Sequence, residues 1–176
     1  VIELKNGSQP DTRINTDFEH DSRSVSVLLL LDLSESLNDI VDSTNQTILE
    51  LSQEAVSLLA WSVEQLGDNF AIAGFNSNTR EQVMYYHIKG FSEHWDDTVK
   101  ARLANLKAEY STRMGAAIRH GTHYLDLQKS DKILMLILTD GEPSDVYVEE
   151  SEMWIKDNHK TVQECQQKGM YPYCIS

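Results

Sequence analysis

The chain has 176 residues, a formal net charge of -13 and a pI of about 4.7, with 40% hydrophobic and 24% charged residues. That length suits one domain able to bury a sizeable core. The acidic balance argues against a nucleic-acid partner, which needs a basic face, and against docking on anionic lipid. No window approaches the roughly eighteen apolar residues of a membrane-spanning helix.

Residues 1–24 are polar and read as a lead-in from a preceding region. Val25 to Asp32 is apolar at nearly every position from Val27 and begins with β-branched residues, so it is expected as a strand covered on both faces. Thr47-Ile48-Leu49-Glu50 has the pattern of a helix capping box. Apolar residues then recur at Ile48, Leu51, Ala55, Leu58, Leu59, Val63 and Leu66 with helical spacing, and Gly67 closes the helix.

Phe70 to Phe75 reads as a second buried strand, Asn76-Ser77-Asn78 as a turn, and Gln82 to Ile88 as a third strand paired with the second in a hairpin. Helices are expected over Trp95 to Leu106, Met114 to Leu125 and His159 to Lys168, with a polar loop running to about Asp157 before the last. Lys132 to Thr139 is the most apolar strand, and Tyr171 to Ile175 a final one. Trp61 and Trp95 are expected in packing roles. Cys165 and Cys174 do not make a disulfide framework; buried thiols, a reducing compartment and hence a cytoplasmic location are the expectation.

Strands alternating with amphipathic helices imply an α/β fold: a mostly parallel sheet, one antiparallel edge strand, and helices on both faces. Ligands in such sheets bind beyond the carboxyl ends of the strands. Three stretches fall there. Asp32-Leu33-Ser34-Glu35-Ser36 follows the first strand, Ser111-Thr112-Arg113-Met114-Gly115 enters a helix, and Thr139-Asp140-Gly141-Glu142-Pro143-Ser144-Asp145 follows the apolar strand. Each offers oxygen and no nitrogen or sulfur ligand, which suits a hard cation such as Mg2+, with Mn2+ or Ca2+ as alternatives. The competing reading makes Ser34, Ser36 and Thr112 caps and Asp140 a turn former. His120 and His123, three apart on one helix, lack a third zinc ligand and read as surface or core residues. No glycine-rich phosphate loop and no Ser-His-Asp or Cys-His arrangement is evident, so a non-catalytic role is expected.

The three stretches resemble the metal-ion-dependent adhesion site (MIDAS) of von Willebrand factor A domains, which carry D-x-S-x-S after the first strand, a middle-loop Thr and an Asp in T-D-G after the fourth. The resemblance covers about Ser24 to Ser176, implies the Rossmann-like fold of that family, and makes Asp32, Ser34, Ser36, Thr112 and Asp140 the metal residues. It implies direct bonds from the two serines, a direct or water-mediated one from Thr112, and water-mediated ones from the aspartates. The family's closing helix is missing from these residues, so the domain over 25–176 is expected to be C-terminally incomplete.

The stretches DLSESLND, LLAWSVEQLGDNFAIAGFNSNTR, YSTRMGAAIRH and LTDGEPSD resemble more narrowly the A domains of proteins partnered with MoxR-type AAA+ ATPases. That group includes the rubisco-activase partner CbbO and the nitric-oxide-reductase accessory protein NorD. The CbbO branch is taken as the leading reading, which implies an adaptor that brings rubisco to a hexameric ATPase. A NorD-like accessory factor or an extracellular adhesion domain are the alternatives. Glu35, Asp39, Asp42, Glu142, Asp145, Glu149, Glu150 and Glu152 form an expected acidic rim, either a solvated face or a filter on the partner. Arg113, Tyr147 and Trp154 either join that rim or serve loop structure and packing.

Overall fold

A computed structural model describes residues 24–78, 82–140 and 151–176, apart from the side chains of 151–156. β1 (Val25–Asp32) is buried from Ser26 onward because it lies between two parallel neighbours. These are β4 (Asn69–Ser77) and β6 (Lys132–Leu138). β5 (Val83–Lys89) pairs antiparallel with β4, and β7 (Met170–Ile175) pairs parallel with β6. The order across the sheet is therefore β5-β4-β1-β6-β7, with the expected antiparallel strand at one edge.

The alternation of β1 divides the core. Leu29 and Leu31 pack with residues of α1 (Ile48–Leu66) and α2 (Asp97–Ala104). Leu28 and Leu30 pack on the other face with Ala117, Ile118 and Leu125 of α3 (Met114–Asp126) and with Cys165 of α4 (Ser151–Gln167). Both faces of β1 are thus covered, which is why its sequence is an apolar run rather than an alternation.

Local signals fix the ends of α1. The Thr47 hydroxyl accepts from the Glu50 amide at 3.2 Å, and the Glu50 carboxylate accepts from the Thr47 amide at 2.9 Å. Gly67 ends the helix with φ 74, a left-handed conformation that glycine adopts without steric cost. Of the apolar residues spaced along α1, Ile48, Leu59 and Val63 pack against the core, but not every position does. Leu49, Val56 and Ala60 are buried, whereas Leu58 and Leu66 are 68% and 75% exposed. Trp61 is also exposed at 59%, while Trp95 packs against the core.

Other boundaries move. Asn76 and Ser77 are buried strand residues of β4 rather than a turn. The segment after β1 holds a 3-10 turn (Glu35–Asn38) and a small antiparallel pair, β2 (Ile40–Val41) with β3 (Gln46–Thr47). α4 starts at Ser151, eight residues before the expected His159, within the stretch expected as loop. Cys165 is buried beside the Thr122 hydroxyl, but Cys174 is exposed, so only one of the two thiols is a core residue. No helix among the described residues is long and apolar enough to cross a membrane.

Candidate functional site

Asp32 is the last residue of β1, so its side chain leaves the sheet at the carboxyl edge, yet it is only 1% exposed. The Ser34 amide donates to Oδ1 at 3.0 Å. The Thr112 hydroxyl lies 2.9 Å from both carboxylate oxygens, and the Thr139 hydroxyl donates to Oδ2 at 2.9 Å. Burial pushes the Asp32 carboxyl above its ordinary range, while the Thr112, Thr139 and Ser34 hydrogen bonds pull it back. Among the described residues its hydrogen-bond partners are hydroxyls and an amide, none of them a cation.

Ser34 is fully buried and its Oγ lies 3.1 Å from that of Ser36. Alternate positions in an extended turn bring the two hydroxyls to one side, while Leu33 between Asp32 and Ser34 points into the core and fills the space beside Gly74. A side chain at Gly74 would occupy the place of Leu33, so the glycine lets the turn lie close against β4. Glu35 is exposed between the two serines, as are Asp39 and Asp42 farther along.

Thr112 arrives by tertiary stitching rather than by a local signal. The Leu33 amide donates to the Phe75 carbonyl at 2.8 Å, and the Glu109 amide to the Leu33 carbonyl at 2.9 Å. Glu35 N–H donates to the carbonyl of Tyr110, a residue held at φ 68. Ser77 and Ser111 exchange both backbone hydrogen bonds, at 2.7 and 3.0 Å, and the Asn76 side chain donates from Nδ2 to the Glu109 carbonyl at 3.0 Å. The polar end of β4 therefore anchors the segment that carries Thr112 to the end of β1.

Asp32, Ser34, Ser36 and Thr112 thus meet as one cluster. Asp140 directly follows Thr139 at the same edge and is partly exposed. Thr139, Asn76 and Ser77 were not singled out as site residues from the sequence. Thr139 had a signal, as the first residue of T-D-G, but Asn76 and Ser77 read as a turn. Arg113 is partly buried at the entry to α3. Glu142, Asp145, Tyr147, Glu149 and Glu150 lie outside the described residues, as do the lead-in 1–23 and the side chains of Glu152 and Trp154. Among the described residues no three His, Cys, Asp or Glu side chains gather as a metal-binding group. His120 and His123 are exposed and join Tyr85, His87 and Tyr124 in a cluster of rings between β5 and α3.

Comparisons with known proteins agree with this architecture. The family profile described as von Willebrand factor type A domain matches residues 26–176. Protein NorD of Stutzerimonas stutzeri is 32% identical over 175 residues, covering 99% of this chain and 28% of that protein. Protein NorD of Brucella suis is 34% identical over 174 residues, covering 99% and 27%. The chain therefore spans little more than a quarter of the length of these relatives. Both belong to the branch that the sequence reading placed second to the rubisco-activase branch.

Among solved structures, the PilB minor pilin of Streptococcus sanguinis superposes with a TM-score of 0.69 at 16% identity, over 88% of this chain and 50% of that one. A von Willebrand factor type A protein of Catenulispora acidiphila superposes with a TM-score of 0.55 at 16% identity, over 86% and 32%. These likenesses concern the fold. With the profile spanning nearly all of the described residues, the chain belongs to the von Willebrand factor type A domain family.

Proposed function

We propose that this domain is the metal-dependent protein-binding module of a NorD-like accessory protein. The observation that carries the reading is the buried Asp32 carboxylate with Ser34, Ser36 and Thr112 gathered around it at the carboxyl edge of the sheet. The donor set is all oxygen and rich in neutral hydroxyls, which fits Mg2+. The Ser34 and Ser36 hydroxyls, hydrogen-bonded at 3.1 Å, are close enough together for both oxygens to hold one such ion. Ser34 and Ser36 are the direct ligands in this reading; Thr112, Asp140 and Asp32 hold the remaining shell, directly or through water. When bound, the ion would supply Lewis acidity toward an oxygen of the partner, and a partner carboxylate would complete the set of oxygen donors.

Relatives named NorD support an accessory role in maturing nitric oxide reductase, rather than one directed at rubisco, as the whole protein's task. A MoxR-type AAA+ ATPase is the partner that supplies force, and the domain itself turns over no substrate. Glu35, exposed between the two serines, and Asp39, exposed three residues after Ser36, disfavour acidic partner surfaces. The preferred target presents one Asp or Glu among basic residues.

The test is retention of nitric oxide reductase and of the ATPase on immobilised full-length protein, with Mg2+ and with chelator. Retention that depends on Mg2+ and is lost in Ser34→Ala supports the reading. Equal retention in excess chelator sinks it.

A further inference from the structure

The segment that carries Thr112 leads into α3, and α3 meets α4 at Gly115, its second residue. α3 starts without a side-chain cap: Arg113 makes no capping hydrogen bond, and its first turn contains no acidic residue. Bare N–H groups at a helix start favour a nearby negative charge. Asp157 of α4 supplies one. Its Oδ2 occupies the space that a Cβ on Gly115 would fill, and Asn158 Oδ1 lies 3.2 Å from the same point. Gly115 is buried, the second residue of α3, and three residues beyond Thr112.

The Asp157 carboxylate is itself fixed. Arg119, one turn farther along α3, donates from Nη2 to Oδ1 at 2.7 Å and from Nη1 to Oδ2 at 3.2 Å, a two-pronged pairing that sets orientation as well as distance. Arg119 also donates from Nε to Glu164 at 3.0 Å, one α4 turn beyond the Thr161 hydroxyl that bonds the Asp157 carbonyl. The glycine at 115 is what admits the carboxylate to the α3 backbone; alanine there would push it away.

We propose that Asp157 is a positioning residue for the metal site. From α4 it holds the first turn of α3, and through that turn it holds the Thr112 hydroxyl against Asp32. This proposal rests on the metal-dependent reading given above.

The experiment titrates Mn2+ into full-length wild-type protein, Asp157→Asn, Gly115→Ala and Glu164→Gln, and records a melting temperature for each. Asp157→Asn and Gly115→Ala are expected to weaken Mn2+ binding about three- to tenfold, less than the 10–100-fold typical of a residue bonded directly to a ligand. Glu164→Gln cuts an α3–α4 bond without touching Gly115; it is expected to lower the melting temperature comparably and leave Mn2+ affinity within twofold. Folded Asp157→Asn binding Mn2+ like wild type overturns the positioning role and leaves the metal reading standing. Loss of affinity in Glu164→Gln equal to that in Asp157→Asn overturns it also, since general loosening then explains both. Absence of Mn2+ binding by wild type overturns the metal reading, and the positioning role with it.

Discussion

The Thr112 hydroxyl reaches Asp32 across 80 residues of sequence and lies 2.9 Å from both oxygens of its carboxylate. The contact joins the end of the most central strand to the entry of α3, and it is the link on which the candidate site depends.

Thr112→Val keeps the shape of the side chain and removes the hydroxyl. Among the described residues the Asp32 carboxylate, 1% exposed, then keeps the Ser34 amide and hydroxyl and the Thr139 hydroxyl as donors. Losing one partner of a buried acceptor costs about 1–3 kcal/mol. Urea denaturation in chelator should show a loss in that range, and Mn2+ affinity should fall by about tenfold or more, as for an outer-shell partner of a metal site.

Val56 and Leu58 are two residues apart on α1 and differ completely in environment, at 0% and 68% exposure. Val56→Ala removes buried methyl groups and leaves a cavity, an expected loss of about 2 kcal/mol. Leu58→Ala should change stability by no more than about 0.5 kcal/mol. Denaturation midpoints of the two variants, compared side by side, check which face of the helix is the core face.

Acidification should weaken the contact between β5 and α3. Partial desolvation among the neighbouring rings lowers the pKa of exposed His120 below its ordinary 6.5, and the nearby His87 and His123 lower it further. The Tyr85 and Tyr124 rings pack against the same imidazole. The unfolded chain therefore binds a proton more readily than the folded one. Stability is fully present above pH 6.5 and is lost as pH falls through the folded-state pKa. Urea midpoints at pH 7.5 and pH 5.5 should differ by less in His120→Gln than in wild type.

Exposed Glu35 and Asp39 should act through charge rather than through structure. If the rim selects a partner with basic surroundings, binding weakens as salt rises, and Glu35→Gln with Asp39→Asn flattens that dependence. Titrating the ATPase or reductase partner against the full-length protein between low and physiological salt measures the slope. A slope unchanged in the double variant removes the rim from the account.

Much of this fold is legible in the sequence where one physical cause dominates. β1 and β6 are apolar runs because helices cover the sheet on both sides. The ends of α1 follow from the capping box at Thr47 and the glycine at 67. The apolar spacing of α1 locates the helix and part of its core face: Ile48, Leu59 and Val63 pack against the core, whereas Leu58 and Leu66 are exposed, because periodicity alone does not say where the buried arc ends. The first half of α4 was missed because SEMWIKDN is too polar to show a stripe.

At the candidate site, Asp32, Ser34 and Ser36 are adjacent in sequence, and their convergence follows from one extended turn. Thr112 was recognisable from its motif, but its place beside Asp32 is set by the Ser77–Ser111 pairing and the Asn76 side chain. Those bonds leave no pattern in the sequence, since a polar strand end looks the same as a turn. Thr139 carries a signal as the first residue of T-D-G, but a threonine directly after a strand also needs no further role to explain it.

The central claim, that Ser34 and Ser36 form a cation site with Asp32, Thr112 and Asp140, is tested most directly by calorimetric titration of Mn2+ into full-length wild-type protein and Ser34→Ala. The account predicts one equivalent of Mn2+ bound by wild type and none by Ser34→Ala, with circular dichroism unchanged between them. Equal Mn2+ binding by both proteins, or no binding by wild type, would contradict it.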